Sequence, residues 1–213
     1  MTRFLLIRHG ESEANKNNVF AGHLDARLSE RGLEQARETA KFVAEKYKVD
    51  KVYASDLQRA FITGKTSADL LGLETVPMSE LREIYAGKWD GMVFNDIRKV
   101  YPQDFDRWQT DIGNAHCTEG ETTAQLYDRI MTALNGIADE NDGKTVLIAT
   151  HATPIRVAVT HALYGDVHKM NQVAWVSNAS VTELIRENGV WTAIEISQDK
   201  HLDKLKTVLP PNV

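Results

Sequence analysis

The chain alternates short apolar runs with stretches in which apolar side chains recur every three or four positions. Residues 3–7 (RFLLI) predict a buried strand that stops abruptly at Arg8 and His9. Ser29 stands where a helix N-cap would, and Leu33, Ala36, Ala40, Val43 and Tyr47 follow at helical spacing as one apolar stripe. "KVYAS" at 51–55 predicts a second strand. A helix then runs from about 57 to 71, stopped by Gly72, and 74–78 predicts a short third strand. The middle, 84–121, is irregular, with Trp89, Trp108 and one short helix around 94–100 before Pro102. Thr122 or Thr123 caps a helix that turns Leu126, Ile130, Leu134 and Ile137 inward and breaks at Asp142-Gly143. "TVLIATH" at 145–151 is the clearest buried strand, and Pro154 falls in the first turn of a helix ending near Tyr164-Gly165. Two or three strands follow, at 173–177, 180–186 and 190–196, the last two joined by a hairpin at Glu187-Asn188-Gly189. Beyond Gln198 the charge alternates. The tail predicts a helix to about Lys206 and ends in Pro210-Pro211 before the last two residues.

Strands alternating with helices predict an α/β fold. The expected architecture is a three-layer sandwich, with a mainly parallel sheet, an antiparallel edge strand and helices on both faces. The 213 residues suit a single domain, 1–213, in which about 84–121 forms a small lid or cap. Ligands of such sheets bind beyond the carboxyl ends of the strands. Arg8 and His9 follow the first strand, Ser55 and Asp56 the second, with Arg59 one helical turn on, and His151 closes "TVLIATH". Each of these residues alone is ordinary: a surface histidine, a solvated arginine, a helix cation. Together they bring two arginines and two histidines to one sheet edge, if the three strands are neighbours.

Composition narrows the chemistry. With 42% hydrophobic and 26% charged residues the chain is globular, and a net charge of −5 gives no general affinity for nucleic acid or an anionic membrane. A local basic cluster can still oppose that sign and hold a small anionic substrate. No apolar run approaches the roughly 20 residues of a membrane helix, and the N-terminus lacks the pattern of a signal peptide. The single cysteine, Cys117, allows no internal disulfide, so a reducing, cytoplasmic setting is expected, with the thiol a bystander. The seven histidines show no HxH, HxxxH or HExxH pairing, and neither a metal nor another cofactor is expected. No GxxxxGK[ST], GxGxxG or GxSxG motif is present.

Two guanidiniums suit a dianionic tetrahedral group, because each presents a fork of N–H donors and neither loses its charge near neutral pH. A histidine among them serves as donor, as general base, or as a nucleophile that forms a phosphohistidine. At this point the sequence resembles a known family. "LLIRHGESEAN" (5–15) is similar to the signature of the histidine phosphatase superfamily, in its phosphoglycerate mutase-like branch. The blocks "HLDARLSERGLEQA" (23–36), "YASDLQRA" (53–60), "LREIYAGKWDG" (81–91), "EGET" (119–122), "LIATHATPIR" (147–156) and "SNASVTEL" (177–184) resemble later family blocks, in family order.

The resemblance implies that His9 is the nucleophile and that Arg8, Arg59 and His151 bind the phosphoryl group and stabilise its transition state. It implies that Glu83 protonates the leaving oxygen and then serves as base for water. Asn15 would help hold phosphate or substrate, Gly22 would lie close to it, and Ala152, in place of the family's usual glycine, would add a methyl group beside the pocket. Asp90 replaces a common Glu, a change read as peripheral. With His9 neutral and Glu83 protonated, the activity optimum is expected to be acidic to neutral. Only about thirty residues separate Trp89 from Gly120, with few cations, which resembles the family's compact phosphatases rather than its mutases. The expected function is therefore metal-independent hydrolysis of a small phosphorylated metabolite. A phosphoglycerate mutase and a non-catalytic phosphoryl-binding module are the alternatives, and the sequence leaves a homodimer open.

Overall fold

The computed structural model describes residues 1–207; Pro210-Pro211 lie outside the described residues. Six strands form one sheet: β1 (Thr2–Arg8), β2 (Lys51–Ser55), β3 (Thr75–Met78), β4 (Thr145–Thr150), β5 (Val181–Glu187) and β6 (Val190–Gln198), in the order β3-β2-β4-β1-β5-β6. The first four are parallel, and β5 and β6 add an antiparallel edge. Helices are α1 (Glu13–Lys16), α2 (Glu30–Lys46), α3 (Gln58–Leu71), α4 (Phe94–Val100), α5 (Pro102–Thr110), α6 (Thr123–Glu140) and α7 (Ala152–Tyr164).

The continuous apolar run of β1 splits by the period of a strand. Leu5 and Ile7 pack with Val43 of α2 and Ala68 of α3, while Phe4 and Leu6 join Leu126 and Ile130 of α6 and Ile155 of α7. These are the three layers. All four strand residues are essentially unexposed, and each stabilises the fold by roughly 1.5–3 kcal/mol.

Most expected elements form where the pattern puts them. Ser29 caps α2 by accepting from the Gly32 amide, and Thr122 caps α6 in a reciprocal pair with Gln125. The hairpin turn holds Asn188 and Gly189 at φ 51° and 80°, the positive values that an Asn-Gly turn supplies. Three expectations change. Pro102 starts a second helix, α5, because proline at the first helical position costs no hydrogen bond. The tail is a 3-10 helix, Lys200–Leu205, interrupted at Asp203. Residues 173–177 form no strand. Their carbonyls are taken by arginine side chains instead: Val173 O by Arg156 Nη2 (2.8 Å) and Val176 O by Arg8 Nη1 (2.6 Å). Among the described residues no helix is long and apolar enough to cross a membrane.

Neighbouring strands β2, β4 and β1 carry the candidate residues, and the register sets Arg8 opposite Thr150 and Ala54 opposite Ala149. The helices that follow β1 and β2 cover one face, while α7, which follows β4, covers the other. The chain therefore parts between β1 and β4 and leaves a crevice at their carboxyl ends.

Candidate active site

A cavity of about 70 Å³ opens at that crevice, lined on its polar side by Arg8, His9, Asn15, Arg59, Glu83 and Thr153. Arg8 is the last residue of β1 and His9 the next; both are buried. The His9 backbone is held on three sides, by its amide on Thr150 O (2.9 Å), and by Ala179 N and Asn178 Nδ2 on its carbonyl (3.2 and 3.1 Å). Its Nδ1 lies 2.7 Å from Gly10 O. A carbonyl only accepts, so Nδ1 carries the proton and Nε2 of the neutral ring keeps its lone pair. Burial, then Arg59 and Arg8, lower the His9 pKa well below that of a free imidazole, so the ring is neutral at physiological pH.

Arg59, in the first turn of α3, is 1% exposed. Its Nη1 donates to Leu24 O (2.7 Å) and its Nη2 to Ala21 O and Gly22 O (2.8 and 2.9 Å). Two of its five N–H donors, Nε and one on Nη1, remain for a ligand. Arg8 spends a single donor, on Val176 O, and its buried Nε has no partner among the described residues. Burial pushes both guanidiniums down to about 10, partly offset by Glu83, which leaves them cationic at neutral pH.

Glu83 follows the 3-10 turn Ser79–Leu81, and its carboxylate accepts from Ile84 N (2.9 Å) and from Thr153 N (3.3 Å) at the start of α7. A carboxylate at a helix N-terminus is held by exposed amides and the helix dipole. His151 caps α7 and is fully buried. Its ring meets that of His9 edge-on at 5.2 Å, its Nε2 pairs with Ser55 Oγ (2.8 Å), and its Nδ1 has no partner among the described residues. His151 thus stands behind the cavity wall rather than in it.

The other expected residues divide. Asn15 lines the cavity; Ser12 and Asn178 occupy its Oδ1, which leaves Nδ2 as its donor. Ala152 also lines it, in the first turn of α7 and without positive φ, so its methyl group is accommodated without backbone strain. Gly22 does not touch the cavity. It is glycine because a Cβ there would lie 2.5 Å from Ile84 O, and it serves through its carbonyl, which holds Arg59. Asp90 is not peripheral either. Its carboxylate accepts from the amides of His23 and Leu24 (3.1 Å each), bracing the loop that grips Arg59.

Two residues escaped sequence reading. Asn178 joins His9 to Asn15, and "SNASVTEL" was the signal for it. Arg156 is buried, donates to the Met170 and Val173 carbonyls and stacks 4.1 Å from the centroid of Trp175, a wall residue. The remaining wall is apolar: Val19, Phe20, Phe94, Trp108 and Trp175. Burial pushes the Cys117 thiol well above its usual value, away from thiolate. Among the described residues, no three His, Cys, Asp or Glu side chains gather as metal ligands would.

Two buried neutral histidines make stability pH-dependent. The unfolded chain protonates them as pH falls through about 6.5, while the native state does not, so stability is lost below that pH. Well below pH 6.5, His9 and His151 together should bring the slope toward about 2.8 kcal/mol per pH unit, at about 1.4 each. His23, His161 and His201 are shifted in the same direction and add to it. Urea denaturation should show falling stability between pH 7 and 5.5; a flat profile there would mean that the two rings are not buried and neutral.

The sequence pattern of the histidine phosphatase superfamily (branch 1) matches residues 4–199. The chain is 32% identical over 169 residues to phosphoserine phosphatase 1 of Hydrogenobacter thermophilus, covering 79% of this chain and 80% of that one. It is 35% identical over 158 residues to phosphoglycerate mutase-like protein 4 of Arabidopsis thaliana, covering 71% and 67%. Bacillus stearothermophilus YhfR has the same fold, with a TM-score of 0.89 at 25% identity over 95% of this chain and all of that one (100%).

Proposed function

Because the chain belongs to branch 1 of the histidine phosphatase superfamily, we propose that it hydrolyses phosphomonoesters through a phosphohistidine at His9. The observation that carries this is the His9 ring itself, buried, neutral, with Nδ1 protonated and Nε2 free beside two arginines. In this reading Nε2 attacks phosphorus, the phosphorus–oxygen bond to the leaving group breaks, and Glu83 donates a proton to the departing oxygen. Glu83 then takes a proton from water, the water oxygen attacks phosphorus, and the nitrogen–phosphorus bond breaks. Neutral His9 and inorganic phosphate result. Arg8 and Arg59 meet the non-bridging oxygens throughout, and the His151 ring backs the His9 ring edge-on from behind the wall. Residues 84–121, which supply Phe94 and Trp108, are the lid over the site.

The wall also bears on the substrate. Arg8 and Arg59 are the only cations lining the cavity among the described residues, and the phosphoryl group takes both. The leaving group then meets aromatic surface and has no third cation for a carboxylate. This favours a small phosphoester with an uncharged, apolar leaving group, and it disfavours a mutase, which must retain an anionic substrate between two transfers. The test is phosphate release, with EDTA present, from n-butyl phosphate, p-nitrophenyl phosphate, phosphoserine and 3-phosphoglycerate. The uncharged leaving groups should give the higher kcat/KM. Conversion of 3-phosphoglycerate to its 2-isomer without phosphate release would replace the hydrolase by the mutase.

A further inference from the structure

Arg129 lies on α6, outside the cavity, and all five of its N–H donors are engaged. Nη1 donates to Glu80 O (2.7 Å) and Arg82 O (3.0 Å), and Nη2 to Glu83 O (3.1 Å). Nε and Nη2 form a fork on the Glu121 carboxylate, at 3.0 and 2.8 Å. Glu121 returns to the same segment: its Oε2 accepts from Tyr85 N (3.0 Å), and its amide donates to Tyr85 O (2.8 Å). The pair is largely sheltered, with side chains 23% and 13% exposed.

The segment they hold is irregular. The 3-10 turn Ser79–Leu81 gives way to extended chain at Arg82, so the carbonyls of 80, 82 and 83 have no ladder to join. A second donor, His23 Nε2, reaches Glu83 O at 3.0 Å. The Glu83 peptide is therefore gripped from outside the cavity, while its carboxylate is aimed inward by Ile84 N and Thr153 N.

We infer that Arg129, oriented by Glu121, is a positioning residue for Glu83: it fixes the backbone from which the proton donor reaches the leaving oxygen. The inference rests on the proposed role of Glu83. A bidentate guanidinium sets both angle and distance, which an ammonium cannot do. A displacement on the order of 1 Å at a reacting group can cost about 100-fold in rate.

The test uses leaving groups. p-Nitrophenolate departs without a proton, whereas the alkoxide of n-butyl phosphate needs one, and kcat/KM reports the step in which that bond breaks. Arg129→Met should lower kcat/KM for n-butyl phosphate by about 10- to 100-fold and for p-nitrophenyl phosphate by less than about threefold. Arg129→Lys should keep the split, since the charge remains but the five-donor geometry is lost. Glu121→Gln should show the same split more weakly, and it decides the matter if Arg129→Met fails to fold. Glu83→Gln is measured in parallel and should show the largest split. If Glu83→Gln splits the two substrates while Arg129→Met, or Glu121→Gln in its place, lowers both equally or neither, the positioning role is overturned and the acid role stands. If Glu83→Gln shows no split, the acid role fails and the positioning role falls with it. Full restoration by Arg129→Lys would reduce Arg129 to a charge and also overturn the inference.

Discussion

Replacing His9 with alanine should lower kcat by at least about 10⁴-fold while leaving phosphate binding largely intact. Among the described residues that line the cavity, only this imidazole offers a nitrogen lone pair beside the two arginines, and no neighbouring ring replaces it. His151 stands behind the cavity wall with its Nε2 committed to Ser55, and the Cys117 thiol is buried and held in its protonated form. Affinity for inorganic phosphate depends instead on Arg8 and Arg59, so the dissociation constant should move by less than about tenfold. Brief incubation with a radiolabelled phosphoester, followed by denaturation, should leave label on the wild type and none on the variant. Because a phosphoramidate hydrolyses in acid and survives base, the label should have that lability. Residual turnover above about one per cent of wild type would move the nucleophile elsewhere. Lost turnover with no label on the wild type would favour water attacking directly, with His9 as its base. A wild type that binds phosphate and turns over nothing would restore the binding-module alternative.

Replacing Arg59 with methionine should damage activity and stability together, and that coincidence is the informative part. Removing a charged donor from a transition state costs about 10²- to 10³-fold in rate, so kcat/KM should fall by at least that much. The same substitution removes the donors of Leu24, Ala21 and Gly22 carbonyls, three bonds of 2.7 to 2.9 Å made by a side chain only 1% exposed. At about 1 kcal/mol or more for each acceptor left short, urea denaturation should show a loss of about 3 kcal/mol. Arg59→Lys keeps a charge but cannot reach three carbonyls and a ligand at once, so it should recover part of the stability and little of the rate. Phosphate affinity equal to wild type in Arg59→Met would remove this residue from the binding site. Unchanged stability would mean that the 21–24 loop does not depend on it.

Arg59 also marks the limit of what was legible. In the sequence it is a helix cation in a block that resembles a family motif. Gly22 reads, by the same resemblance, as a residue close to the bound phosphate. The structure makes them donor and acceptor of one hydrogen bond, with Asp90 bracing the loop from the far side. No spacing rule joins positions 22, 59 and 90, since their meeting depends on how α3 and the 84–91 segment pack. Residues 173–177 failed as a strand for a related reason. Their composition suits a strand, but Arg8 and Arg156 supply the hydrogen bonds that a ladder would have supplied. Arg129 was invisible as well: an arginine on a helix normally reads as solvent-facing, and only the irregular 80–83 turn lying against α6, with the Glu121 carboxylate, gives it five acceptors.

The sequence by itself determined the strands, the layers and the sheet edge at which the chemistry gathers. Those follow from periodicity, because an apolar run must be buried and charge following it must lie where the strand meets water. Tertiary structure alone decided which nitrogen of His9 is free, how Arg59 divides its donors between loop and ligand, and what aims Glu83. The donors of Arg59 and the aim of Glu83 depend on partners tens of residues away, and the His9 tautomer on where the neighbouring Gly10 carbonyl points; hydrogen bonds are settled by distance and direction within a few tenths of an ångström, which no local pattern encodes.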